Sequence, residues 1–243
     1  MTRAELIQQV ALKMDEVSPN IEASDLTVDG SDGNPLYTLI DGLIDGGALE
    51  LFSVAPYWRL PQSEFSDKGL DDAGSQRVVN DGETTIAARK MIWLRVPDDF
   101  LRVAEINHGS FQRPITDIVQ EDSPLGKRQH NPFLMAREAR PVGVMSHDKR
   151  TINGNAVQCR EIDCYSIPSS GAALTSLVAT YIPKPQTIVD DPVTPSNSVA
   201  VETAIPTVLI PALEWLVAAR TFGARGDANH AAICQQNAQN VLV

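Results

Sequence analysis

The spacing of apolar residues changes period twice along this chain, and that change constrains the fold more than any other feature. Near both ends they recur every three or four residues, as on one face of a helix. Between Met91 and Ile182 they come in short runs rich in Val, Ile, Leu and aromatics, broken by turn residues, as in β-strands. A chain that is helical at its ends and β-rich in its middle belongs to the α+β class, and the two helical ends must find each other to bury their apolar stripes. With 243 residues and 43% hydrophobic content there is enough apolar surface for one sizeable core or two small ones.

The N-terminal helix is expected over residues 3 to 17. Thr2-Arg3-Ala4-Glu5 has capping-box spacing, Leu6, Ile7, Val10, Met14 and Val17 follow at helical intervals, and Ser18-Pro19 closes the run. Ser24 to Gly33 reads as an exposed loop. Asn34-Pro35 then starts a second helix with Leu36, Leu39, Ile40, Leu43 and Ile44 on one face. Gly42, Gly46 and Gly47 weaken it by about 1 kcal/mol each relative to alanine, so close packing must hold it. Gln62 to Asn80 lacks periodicity and is expected to be loop.

The expected strands are Met91 to Val96, Phe100 to Ile106, Ala156 to Tyr165 and Leu174 to Ile182, mostly antiparallel, with Asn153-Gly154 favouring a tight hairpin. Five prolines between Pro183 and Pro206 forbid a regular helix or central strand there, which makes this segment a connector. Beyond it, Leu213, Leu216, Val217 and Phe222 share a helical face. Gly223 and Gly226 break that helix, and Asp227 is placed to cap a last one containing Ala231, Ala232, Ile233 and Val241. The expected division is therefore 1–90 (helical with a loop), 91–182 (β-rich insertion) and 183–243 (connector and closing helices), the fold being a bundle of N- and C-terminal helices with a central antiparallel β-rich insertion.

The search for chemistry excludes more than it finds. Lys plus Arg number 20 against 31 Asp plus Glu, a formal charge of −11, which repels phosphate backbones and disfavours a sequence-reading DNA binder. Cys159, Cys164 and Cys234 form no CxxC pair, which fits a reducing compartment or thiols used as small hydrophobes. No run of 18 apolar residues suggests a membrane span, and the N-terminus does not read as a signal peptide, so a soluble protein made inside a cell is expected.

GxGxxG, P-loop, HExxH and GxSxG motifs are absent. Ser146-His147-Asp148-Lys149 offers an SxxK spacing and the residue types of a hydrolase triad. Neighbours in sequence do not converge as nucleophile, base and orienter, however, so a polar turn between β segments is expected. His108, His130, His147 and His230 are scattered, without the i, i+4 spacing of a zinc site. Asp25, Asp29, Asp32 and Asn34 miss the calcium-loop order. Asp71-Asp72, Asp98-Asp99 and Asp190-Asp191 read as loop pairs serving solubility and turns. No catalytic, cofactor-binding or metal-ligating residue is assigned, and the chain is not expected to be an enzyme. The candidates for partner contact are Lys127 and Arg128, in the densest basic spot, and Trp215, which falls off the Leu213/Leu216 face; packing within the chain is the competing role for Leu213, Trp215 and Leu216.

Several segments carry a resemblance in serial order: Pro97-Asp98-Asp99-Phe100-Leu101-Arg102-Val103, Phe111-Gln112-Arg113-Pro114-Ile115, Glu121-Asp122-Ser123-Pro124-Leu125, Arg140-Pro141-Val142, Tyr181-Ile182-Pro183-Lys184-Pro185, and Ile210-Pro211-Ala212-Leu213-Glu214-Trp215-Leu216-Val217-Ala218-Ala219. They fall within roughly residues 90 to 240, and the chain resembles the head-to-tail ring, or adaptor, proteins of short-tailed phages, most closely those of crAss-like phages. Gln62 to Asn80 has no counterpart in that series.

The resemblance implies a virion structural subunit at the head-tail junction, assembled in the host cytoplasm and needing no cofactor. Its partners would be the portal protein, other tail or ring proteins and further copies of itself, as a dodecamer that extends the channel through which DNA passes without sequence recognition or membrane contact. An acidic channel lining would keep DNA from adhering. A different virion component, such as a tail or decoration subunit, and a soluble enzyme using the Ser146 region are the alternatives.

Overall fold

The computed structural model describes residues 1–18, 35–66, 76–79, 89–109, 111–129, 131, 134, 136–137, 139–152, 155–164, 177–189 and 198–243. The chain divides into two units, one made of Met1–Pro61 with Lys184–Val243 and the other of Gln62–Pro183. The class is α+β, with N- and C-terminal helices flanking a β-containing middle in chain order.

In the first unit, α1 spans Arg3–Val17 and starts as its capping box dictates. The Thr2 hydroxyl accepts from the Glu5 amide at 3.1 Å and the Glu5 carboxylate from the Thr2 amide at 2.8 Å. Leu6, Val10, Ala11 and Met14 are its buried stripe. Helix α2 spans Pro35–Val54, where Leu36, Ile40 and Ile44 are buried and Leu39 and Leu43 half-buried. Asn34, the expected cap, lies outside the described residues, as does the loop Ser24 to Gly33. Arg3 ties the start of α1 to its surroundings, donating to the carboxylate and, at 2.6 Å, the carbonyl of Asp41 and, at 2.7 Å, to the carbonyl of Ile188.

The connector contains one short helical turn, α4 at Val201–Ala204, against the expectation that no helix forms there. A single turn between prolines is possible because Pro206 lies beyond it and its residues keep their amides. Helix α5, Ile210–Ala224, follows a 3-10 turn at Thr207–Leu209. Leu213, Leu216, Val217 and Phe222 are buried as expected, but so are Ala212, Glu214, Ala218, Ala219 and Thr221, so α5 is enclosed on most of its circumference. It packs against α1, α2 and α6, the last spanning Ala228–Leu242. Thr207–Ala224, with mean hydropathy 1.2, is long and apolar enough to cross a bilayer by composition, so the expectation that no stretch approaches a span needs correcting; here the segment packs as a core helix.

Gly47 explains how α2 reaches α5. A β-carbon there would lie 2.6 Å from Val217 Cγ2 and 3.5 Å from Leu213 Cδ1, so only glycine permits this approach. Gly42 has nothing within 4 Å and no such role. Gly223 sits inside α5, and the break comes at Gly226, whose φ of +82° is the left-handed conformation that favours glycine. Asp227 then caps α6, accepting from the His230 amide at 3.2 Å. The buried face of α6 is Cys234, Ala238 and Leu242; Ile233 is exposed.

The second unit holds two sheets. The three-stranded one has order β1-β8-β4, with β1 at Ser63–Ser66, β4 at Phe100–Asn107 and β8 at Val178–Pro183. The five-stranded one has order β2-β3-β7-β6-β5, with β2 at Gln76–Val79, β3 at Arg89–Arg95, β5 at Ile118–Gln120, β6 at Gly143–Ile152 and β7 at Asn155–Cys164. All pairings are antiparallel except β5 with β6. Ile152 pairs with Asn155 across the expected hairpin, whose Asn153-Gly154 lies outside the described residues.

Leu94, Ile162 and Cys164 from the larger sheet meet Phe100, Ile106, Ala179 and Tyr181 from the smaller in one core. Phe100 stacks on Tyr181 with centroids 5.8 Å apart and Phe65 meets Tyr181 edge-on at 5.3 Å. Two expectations are corrected here. Residues 62–80 include β1 and β2 rather than only loop, because Phe65 supplies an aromatic to the core and the backbone of β1 pairs with β8. For the same reason the β unit begins at Gln62, not at residue 91.

Two of the three glycines of α2, Gly42 and Gly47, make opposite predictions in chemical denaturation. Gly47→Ala should destabilise the protein by about 1–3 kcal/mol through overpacking against Val217. Gly42→Ala, with open space around it, should stabilise by about 0.5–1 kcal/mol.

Candidate functional site

Among the described residues of the second unit, the segment that connects β4 to β6 builds a cleft of about 800 Å³. Its construction begins at α3, Pro124–Arg128, capped by Ser123, whose hydroxyl accepts from the Gly126 amide at 3.0 Å and donates to the Gln120 carbonyl at 2.6 Å. Gly126 is required there, since a β-carbon would lie 2.4 Å from the Gln120 carbonyl oxygen and 2.7 Å from that of Glu121. Buried Gln129 then clamps the wall. Its amide donates to the Leu125 carbonyl at 2.9 Å and its side-chain oxygen accepts from the Ala136 amide at 2.8 Å. A turn closed by the Arg140 amide on the Arg137 carbonyl at 2.8 Å completes it.

Exposed Arg113, Arg137 and Arg140 line this cleft, with Asp117 the one carboxylate among its described lining residues. Its apolar surface includes Val119, Leu125 and Leu134, of which Leu125 is 41% and Leu134 61% exposed. Charged donors around an uncovered apolar floor can hold an anionic group and an apolar one side by side.

Lys127 and Arg128 are both exposed on α3. Lys127 shares a shallower hollow with Glu121, Asp122 and His147, so local carboxylates offset its charge. Trp215 lies in the other unit, half-buried on α5, with the Lys13 ammonium 5.1 Å from its ring centroid. Leu213 and Leu216 are buried and serve packing within the chain, whereas Trp215 keeps part of its surface open beside Lys13. Between them, Glu214 is buried too. Its carboxyl is pushed above the ordinary range by desolvation; Lys13 opposes that shift and Glu16 adds to it.

Sequence reasoning missed a pair of aromatics. Trp58 is 68% and Tyr57 50% exposed on the 3-10 turn Tyr57–Arg59, their rings edge to face at 5.4 Å. This turn is pinned on both sides. Ala55 and Leu60 are buried, and the Arg59 guanidinium donates to the Val241 carbonyl at 3.3 Å. Helical or strand periodicity cannot flag residues in a single non-repeating turn, but the Tyr-Trp pair after a proline is itself a signal.

The hydrolase-like string is not a turn but part of β6, where ten residues pair with β7. Ser146 is buried and its hydroxyl donates to Asp163 Oδ2 at 2.8 Å, while His147, next along the strand, is exposed on the opposite face. The serine and histidine therefore do not meet. Glu161 and Asp163 are buried beside Ser146, alternating along β7 with Ile162 and Cys164, which are buried too.

The other candidates have packing or turn roles. Burial raises the thiol pKa of Cys164, and that of Cys234 to about 11, which leaves both as small hydrophobes. His108 packs on Phe111, and His230 on Phe222 beside Asp227. Asp99 accepts from the Tyr181 hydroxyl at 2.9 Å. His130, Asp25, Asp29, Asp32, Asp71-Asp72 and Asp190-Asp191 lie outside the described residues, and among those described no group of three or more His, Cys, Asp or Glu side chains could hold a metal ion. No protein-family model matches the chain, and no curated protein matches it significantly in sequence.

Glu214 gives this region a pH signature. Folding raises its pKa above the ordinary 4.5, so its contribution to stability is complete below that value and is lost as pH rises through the folded value. Glu214→Gln should raise the melting temperature at pH 8 relative to the parent, and the difference should disappear at acidic pH; thermal melts across that range check it.

Proposed function

We propose that this chain is a structural subunit that assembles through its surfaces, and that the assembly is the ring joining a phage portal to its tail. The assembly reading is carried by Trp58. A tryptophan left two-thirds exposed, beside an exposed tyrosine, on a turn that Arg59 ties to the carbonyl of Val241, has the composition of an interface anchor. The serial order of the resembling segments narrows assembly to the head-to-tail ring. Three of those segments contribute to one cleft, through Arg113 and Pro114, Leu125, and Arg140 to Val142, which gives their shared order a spatial sense.

The charge distribution suits a DNA conduit. Met1–Pro61 and Lys184–Val243 together carry fifteen carboxylates against six Lys and Arg, a formal −9, whereas Gln62–Pro183 carries sixteen against fourteen. A surface of that sign gives DNA no counterion-releasing contact, so it would pass without adhering. The alternative of a hydrolase at Ser146 is weakened, since its hydroxyl is buried against Asp163. Lys127 and Arg128 keep their candidacy for partner contact, while Trp58 replaces Trp215 as the proposed aromatic anchor.

Trp58→Ala, alone and with Tyr57→Ala, should cost about 2 kcal/mol or more of binding to portal or neighbouring tail proteins, while the melting temperature of the free chain stays that of the parent. Co-purification with those partners reads the effect. Unchanged assembly by the double variant would contradict the reading.

A further inference from the structure

The arginine-lined cleft of the β unit, to which three of the resembling segments contribute, has a chemistry that specifies an occupant. It sets three exposed guanidiniums against one carboxylate in a chain of net charge −11. Arg113 precedes β5, whereas Arg137 and Arg140 bracket the turn braced by Gln129, so charges from separate segments converge on one opening. Leu125 and Leu134 expose apolar surface beside them. The complement is an acidic surface that also exposes an apolar side chain.

The helical unit of this same chain provides one. Along α2, Asp41, Asp45 and Leu49 follow one another at i, i+4 spacing and so form one stripe. The two carboxylate side chains are 48% and 50% exposed, Leu49 is 43% exposed, and among the described residues Arg3 is the one cation bridging both acids. We infer that the cleft receives the Asp41/Asp45/Leu49 stripe of α2 from a second copy of this chain. Two different surfaces, one per copy, make a head-to-tail contact, which repeats around a closed ring. This rests on the ring reading above and adds which surfaces join neighbouring subunits. Guanidinium forks match the planar carboxylates of aspartate, and Leu49 meets the apolar floor, so that the two aspartates offset most of the excess positive charge of the cleft.

The test is sedimentation velocity of the full chain over a concentration series, with the paired variant Arg137→Glu/Arg140→Glu. Both side chains are exposed, so circular-dichroism melts of this variant should match the parent. Its self-association constant should weaken about tenfold or more, and adding Asp45→Arg should recover most of the loss by restoring opposite charges. Self-association unchanged in the paired variant, or a loss that Asp45→Arg leaves uncorrected, overturns this contact and leaves the ring reading standing on other surfaces. A parent chain that stays monomeric throughout and also when mixed with portal removes both. Binding of duplex DNA that the paired variant abolishes would identify the cleft as a nucleic-acid surface and overturn the proposal.

Discussion

Burial of α5 on nearly every side is the constraint on which the rest of the helical unit depends. A helix with that much apolar surface needs neighbours all round, and they come from both ends of the chain: α1 and α2 from before the β unit, α6 from after it. The contact with α2 is close because Gly47 presents no side chain to Val217. Loss of conformational freedom is the main cost of ordering such segments, and burying Leu213, Leu216, Val217 and Phe222 together is what offsets it. A charged residue within this contact, Glu214, tolerates its position at the expense of a raised pKa, with Lys13 nearby moderating the penalty.

Legibility in the sequence followed how local the determining interaction is. The boundaries of α1 could be read because the capping box and the apolar stripe lie within the same fifteen residues. The strands β3, β4, β7 and β8 were visible as short β-branched runs between turn residues. Strands β1 and β2 were not, since Ser63-Glu64-Phe65-Ser66 is polar in isolation and becomes a strand through pairing with β8, more than a hundred residues later in the chain. Ser146 to Lys149 was misread as a turn for the same reason: the partner β7 draws a polar stretch into a long hairpin. Burial of Glu161 and Asp163 was hidden because alternation tells which residues share a face, not which face is covered. On the functional side, helical geometry singled out Trp215 as a misfit, and Lys13 lies beside it within the fold, whereas Trp58 lies in a turn to which no periodic rule applies.

The two units differ in the character of their surfaces. The helical unit carries most of the net negative charge together with an exposed aromatic pair, and the β unit is close to neutral and carries the arginine-lined cleft. Surfaces of opposite character on one chain favour self-association in series, and an acidic exterior disfavours nonspecific capture of nucleic acid. Ser146 is a buried hydrogen-bond donor, and the Cys164 and Cys234 thiols are core residues.

A ring subunit beneath the portal has a fixed position in the virion, which cryo-electron microscopy of virions can locate along the axis. The account predicts density for a closed ring of copies at the neck, directly beneath the portal. Density for this chain on the capsid surface, or virions that contain none of it, would contradict the account.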